Sequence, residues 1–546
     1  MTHTSRERAD ALLAQLNQHK QDWIKVSTED RIHYLERCLH NVSDVAPHWA
    51  EAACILKGLD PDSAIAGEEW LAGPFAVMHY LRLLIRTLKA GNAGMPKIEL
   101  RSPNRQIAKV FPNDLFDRLL WLGVSAEVWS QPGRSLTKDP THRPEEGKVA
   151  LVLGAGNISS IAPLDVLHQL FVENRATLLK MNPVIDSLGP WIERVFAQLQ
   201  ADGFLAIAYG GAELGAYLCQ HSAVDAIHIT GSQQTHDAIV WGNPIAEHRS
   251  SSLQIDKPIT SELGGITPII VVPGNWSESD LVFQARHVAS MVAHNASFNC
   301  VAGKVLVLAK GWAQRSQFLD LVREQFRQIP PRRAYYPGAQ TRYETFLAKY
   351  PDAEQLGSSA PECIPWTLLP NVSPRSGEYA LTEEAFCGVL AEVSLDAATA
   401  EDFLPSAVDF ANQSIYGTLS CTVLVNPKTA RRFSAAVDEA IANLRYGSIG
   451  VNIWSGALFA MPEIPWGAFP DNTLDNIGSG KGFVHNVLWV GNPQKAVVYA
   501  PFRIWPTPLW FAQHRTLKKV AQKLLQFEAN PSWRRLLSVI VAALGG

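Results

Sequence analysis

Residues 148–232 most limit what this chain can fold into. Four short, mostly apolar runs lie there: Val149-Ala-Leu-Val-Leu153, Thr177-Leu-Leu-Lys180, Ala206-Ile-Ala-Tyr209 and Ala226-Ile-His-Ile-Thr230. Helical stretches separate them, through residue 174, over 188–200 and over 215–220. Strands this short, alternating with helices, predict an α/β fold with a doubly wound parallel sheet. Ligands of such a sheet bind beyond the carboxyl ends of its strands. Asn157, Lys180, Gly231 and Ser232 all fall at those ends.

The flanking sequence has other textures. Residues 6–20, 30–42 and 74–90 carry apolar positions at helical spacing. Glu127-Val-Trp-Ser-Gln-Pro-Gly-Arg134 and its neighbours suggest a hairpin, and 139–147 a polar loop. After residue 262 a second α/β region is expected. Its strands lie near 269–272, 304–308, 388–393, 422–425 and 448–452, and its helices over 279–296 and 430–444. Glycines punctuate a loop-rich stretch from 447 to 482. Beyond residue 501 the chain is rich in Trp and Pro, then helical. No internal repeat is present.

Composition excludes several classes. With 546 residues, 47% hydrophobic and 18% charged, the chain can bury large cores. At a net charge of -4, with no basic cluster, no nucleic-acid partner is expected. Seven cysteines, an odd number without a Cys-x-x-Cys pair, argue against a disulfide framework and a structural zinc site. A reducing cytoplasmic location fits. The first eight residues hold no apolar core, so no signal peptide is expected. No run reaches the roughly 18 apolar residues of a spanning helix.

Four side chains could make one reaction centre. Cys300 stands where a helix gives way to a strand, and a thiolate there is a good nucleophile after modest pKa lowering. A buried core thiol is the bland alternative. Glu262, followed by Leu263 and two glycines, reads as a general base at a tight turn, or as a surface glutamate. The Asn157 amide could stabilise an oxyanion or cap a helix. Lys180 could bind a cofactor ribose or phosphate, or end a strand in solvent.

These residues resemble the aldehyde dehydrogenase superfamily over roughly residues 25–490. Gly156-Asn157-Ile-Ser-Ser-Ile-Ala-Pro163 stands where that family carries its oxyanion asparagine, and Lys180 where it carries its cofactor lysine. Ile229-Thr-Gly-Ser232 resembles the strand end under the pyrophosphate. Glu262-Leu-Gly-Gly265 matches the general-base motif, and Asn295-Ala-Ser-Phe-Asn-Cys300 partly matches the nucleophile motif. Glu383-Glu384-Ala-Phe386 resembles the pair that holds the nicotinamide ribose (Glu384) and ring (Phe386).

The resemblance implies a doubly wound cofactor domain over 1–123 and 148–265 and a catalytic α/β domain over 266–470. Small oligomerisation strands over 124–147 and 484–500 would complete it, leaving the tail, 501–546, without a role. It also implies NAD(P)-dependent oxidation of a small-molecule aldehyde to its acid, through a thiohemiacetal and a thioester on Cys300. No metal is required, and a homodimer or homotetramer is expected. A CoA-linked acyl reductase and an inactive binding protein of the same fold are the alternatives.

The departures bear on details. Lys180 is followed by Met181-Asn-Pro183 rather than by the carboxylate that clasps the adenine ribose, so NAD and NADP both stay open. His236 replaces the second glycine after Gly231. Phe298 either narrows the pocket or packs in the core, and Cys387 is either a buried thiol or a partner for Cys300. For the tail, packing on the body or a neighbouring subunit is favoured over contact with a membrane surface.

Overall fold

The computed structural model describes residues 3–91, 96–102, 105–137, 143–245, 250, 252–358 and 360–546. Two sheets organise it. The first has six strands in the order Gly480–Lys481, Ile259–Leu263, Ala226–Gly231, Lys148–Leu153, Arg175–Met181, Leu205–Tyr209. All run parallel except the two-residue edge strand Gly480–Lys481. Strand order reverses about Lys148–Leu153, the switch point at which an open sheet leaves a crevice. The N-terminal helix Arg6–Lys25, capped by Ser5, lays Ala9, Leu12, Leu13 and Leu16 on this sheet.

The second sheet has eleven strands. Seven form a parallel block in the order Pro493–Tyr499, Ser448–Val451, Ser420–Leu424, Thr267–Val271, Gly303–Ala309, Val389–Leu395, Trp366–Leu369. Their near-continuous apolar sequences suit strands covered on both faces. The nucleophile candidate precedes the strand Gly303–Ala309, inside the block.

Three expectations need correction. The hairpin lies earlier than 124–147: Lys97–Ser102 pairs antiparallel with Arg105–Phe111, and Ser125–Ser130 is a strand between Arg105–Phe111 and Pro493–Tyr499. Part of the loop expected over 139–147 lies outside the described residues. Glu262 is not at a turn but on the strand Ile259–Leu263, opposite Thr230 on one side and Gly480 on the other. The helix expected over 30–42 runs Thr28–Leu56, because Ser27 caps it and Pro47 is accommodated inside.

The tail folds onto the body. Its helices Leu517–Ala529 and Trp533–Ala543 pack on each other, and the first lies against Gly67–Trp70 and Ala76–Ala90. The approach is close. A Cβ on Gly67 would meet the backbone carbonyl carbon of Leu517 at 2.5 Å, so no larger residue fits there without displacing the tail. Among the described residues no helix is long and apolar enough to cross a membrane.

Candidate active site

The helix Glu278–Ala293 opens with a capping box of Ser277 and Asp280 and delivers the chain to a strained bend. Asn295, Ala296 and Ser297 have φ of 54°, 53° and 68°. Each left-handed non-glycine residue costs about 1–2 kcal/mol, so the bend must be held from outside. Buried ion pairs hold it. Lys57 Nζ donates to Glu69 Oε1 at 2.8 Å and to Asn295 Oδ1 at 2.9 Å. Asn295 N donates to Glu68 Oε2 at 3.2 Å, and Glu68 is paired in turn with Arg332 at 3.0 Å. Lys304 Nζ holds Ser297 through its carbonyl at 3.2 Å and its hydroxyl at 3.1 Å. Replacing Lys57 by methionine strands the Glu69 charge. It should cost about 3–5 kcal/mol of stability, read as a lowered denaturation midpoint.

The bend brings Cys300 Sγ to 3.5 Å from Glu262 Oε1, within reach of a thiol hydrogen bond. Trp466 Nε1 donates to the same oxygen at 3.1 Å. Burial pushes the Glu262 carboxyl up to about 7, partly opposed by the hydrogen bonds from Trp466 and Cys300. Burial, then the neighbouring Glu262 charge, pushes the Cys300 thiol well above its usual value. Cys300 is therefore a protonated thiol at rest beside a carboxyl group that titrates near neutral pH, and the modest lowering of its pKa that the sequence suggests is not what the site produces.

Asn157 reaches the same loop. Its Nδ2 donates to Phe298 O at 3.2 Å, while its own carbonyl accepts from Tyr335 OH at 3.0 Å and Asn295 Nδ2 at 3.2 Å. Asn157, Glu262 and Cys300 thus share one neighbourhood. Phe298 lies in the core among Tyr335, Tyr336 and Phe386, resolving the two readings in favour of packing. All seven cysteines are free thiols, Cys387 included.

Glu384 and Phe386 also lie near Cys300. Glu384 acts on the thiol electrostatically, and Phe386 stands 5.9 Å from Phe298, ring to ring, at a φ of 42°. The first glycine after Glu262 and Leu263 is explained here: a Cβ on Gly264 would meet Glu384 Oε2 at 2.0 Å. Glu384 Oε1 is buried with no hydrogen-bond partner among the described residues. Its pKa is raised to about 7, chiefly by burial.

The remaining candidates sit at the carboxyl ends of the six-stranded sheet. Lys180 ends the strand Arg175–Met181, largely buried, and burial lowers its pKa. Beyond it Asn182 fills the space beside Gly156 and donates to Gly154 O at 3.2 Å. Gly231 and Ser232 are exposed, and the Ser232 hydroxyl caps the helix Gln233–Trp241. His236 turns into the core beside Asp237, away from that exposed end.

Sequence reasoning missed Trp466, Lys57, Glu69, Tyr335 and Lys304. None of them left a sign that points to the site; Trp466 lies in the glycine-punctuated stretch that reads only as loop.

The model of the aldehyde dehydrogenase family matches residues 188–340, which include Glu262 and Cys300. A peroxisomal aminoaldehyde dehydrogenase from Malus domestica is 26% identical over 56% of this chain, and the match spans 58% of the apple protein's length. Among solved structures, an NADP-dependent glyceraldehyde-3-phosphate dehydrogenase from Bacillus halodurans, complexed with NADP, superposes with a TM-score of 0.63. It is 14% identical over 92% of each chain. An aldehyde dehydrogenase C variant from Pseudomonas syringae, complexed with NAD+ and octanal, gives 0.62 at 17% identity, over 93% of this chain and 91% of that one. The chain thus has the fold of the solved aldehyde dehydrogenases, and its residues 188–340 match the model of that family.

Proposed function

We propose that the protein oxidises an aldehyde to a carboxylic acid with NAD or NADP, using Cys300 as nucleophile and Glu262 as base. One observation carries the reading: the 3.5 Å contact between Cys300 Sγ and Glu262 Oε1, on a loop tied to the Asn157 amide. A carboxyl group with a pKa of about 7 can take the thiol proton near neutral pH and return it to water. The thiolate then attacks the carbonyl carbon. The Asn157 amide nitrogen carries two hydrogens, and Phe298 O takes one. The second is free for the oxyanion, a contact typically worth about 2.7–4 kcal/mol. Loss of hydride from the adduct to a bound two-electron acceptor would leave a thioester on Cys300. Glu262, deprotonated again, draws a proton from the water that attacks it, the C–S bond breaks, the Cys300 sulfur regains a proton, and the acid leaves.

A bound nicotinamide dinucleotide supplies the two-electron acceptor. Lys180, Gly231 and Ser232 would hold its phosphates and adenosine end, Glu384 its ribose, and Phe386 its ring. The unpartnered Glu384 Oε1 fits that role. Gly264→Ala should push Glu384 aside and weaken nucleotide binding roughly tenfold or more, the worth of one charged hydrogen bond, as a fluorescence titration would read. Unchanged affinity would remove Glu384 from the nucleotide site. The activity itself is tested by an aldehyde panel with NAD, NADP and CoA. Oxidation to the free acid without CoA supports hydrolysis by Glu262. Strict dependence on CoA, or no oxidation with either nucleotide, would reject it.

A further inference from the structure

The C-terminal tail takes no part in the chemistry above, yet it walls the approach to Cys300. A cavity of about 240 Å³ has Cys300, Asn299 and Val301 in its lining. That lining extends outward to Leu122 and Trp505, which are 46% and 67% exposed and mark its mouth. The tail contributes Trp505, Leu509, Trp510, Val520, Leu524 and Val539. Trp454 joins the tail side to the reacting end. Its Nε1 donates to Val301 O at 2.9 Å, and its ring centroid lies 6.5 Å from that of Trp510.

The tail is fastened in this position. Gly67 admits the backbone of Leu517 at a distance no side chain would allow. Buried Glu528 is ion-paired with Arg82 and, at 3.1 Å, with His79. These pairs also decide what the cavity can recognise. Of its charged lining groups, Glu528 sits between Arg82 and the His79 imidazole, and Asp117 lies in the field of the same Arg82 guanidinium. Burial lowers the pKa of His294, which leaves it uncharged at neutral pH. With His79 held protonated by Glu528 against the effect of burial, two acidic groups are offset by two basic ones, which leaves no excess charge to bind an ionic substituent, while the wall around them is aliphatic and aromatic.

We propose that residues 504–543 form the outer wall of the aldehyde channel and adapt it to an unbranched alkyl aldehyde of medium to long chain. This rests on the reading of Cys300 as the group that meets the carbonyl. Each methylene moved from water into such a wall strengthens the interaction about fourfold. kcat/KM should climb by about that factor per carbon from propanal until the channel is filled.

The test uses the full chain and the variants Val520→Trp and Leu524→Trp, which fill the cavity from the tail side. Propanal, pentanal, hexanal, decanal and 4-aminobutanal are compared as substrates. Binding of 1-decanol, which has no carbonyl to react, is read separately by tryptophan fluorescence. The expected result is the rising series in the natural chain, pentanal preferred over 4-aminobutanal, and micromolar to millimolar decanol binding. In either variant the decanal-to-propanal ratio of kcat/KM should fall at least tenfold and decanol binding weaken in step. A flat series, a preference for the ammonium-bearing aldehyde, or decanol binding untouched by both variants overturns the proposal. If decanol binds and the variants abolish it while no aldehyde is oxidised, the channel stands and the catalytic reading falls. If propanal is oxidised without chain-length dependence, the reverse holds.

Discussion

Cys300→Ala is expected to slow aldehyde oxidation by about 10⁴-fold or more while nucleotide affinity stays within twofold. Removing the nucleophile of a covalent mechanism forfeits both steps that it created. No other thiol can stand in: five of the remaining six cysteines are buried, and the sixth, Cys363, is only half-exposed. The bend that carries Cys300 is held by Lys57, Glu68 and Lys304 through Asn295 and Ser297, not through the thiol, so the fold should survive the change. Steady-state rates beside a nucleotide titration decide the matter. Activity within tenfold of the natural chain would remove Cys300 from the reaction.

Glu262→Gln comes next, with an expected loss of about 10²–10⁴-fold, the usual worth of a positioned general base. The variant carries its own signature in pH. With a carboxyl pKa of about 7, Glu262 is a base only when it has lost its proton. The rate should therefore be full above about pH 7 and fall about tenfold per unit below it. Glutamine cannot titrate, so that acid limb should vanish. Its amide can still accept the Trp466 N–H through its carbonyl oxygen, so the local packing is kept. A rate profile of unchanged shape would assign the titration to another group.

How far the sequence speaks for itself differs from residue to residue. Asn157, Lys180 and Ser232 were legible because each follows a short apolar run, and the end of such a run is a place in a doubly wound sheet. Glu262 was legible as a candidate base but misplaced as structure. Ile259-Thr-Ser-Glu-Leu263 mixes polar with apolar residues, and the glycines after it read as a turn, although its backbone pairs on both sides. The reason for Gly264 could not be read at all. It lies in the Glu384 carboxylate, about 120 residues away in sequence. The same holds for Lys57, whose partners are Glu69 nearby and Asn295 far along the chain. Pairings at that separation leave no periodicity behind. The place of Cys300 between a helix and a strand suggests a modestly lowered pKa, but burial beside Glu262 drives it the other way. The tail's Trp- and Pro-rich entry reads as packing on the body or on a neighbouring subunit, and the fold lays it on the body. That it also walls the cavity above Cys300 emerges only from the fold.

The most direct check is a mass spectrum of Glu262→Gln quenched after a brief exposure to decanal and nucleotide. With hydrolysis slowed, the peptide that carries Cys300 should gain the mass of a decanoyl group in place of one hydrogen, while the peptides of the other cysteines stay unmodified. Reduced nucleotide accumulating with Cys300 unmodified, or with the acyl group on another side chain, would contradict the account.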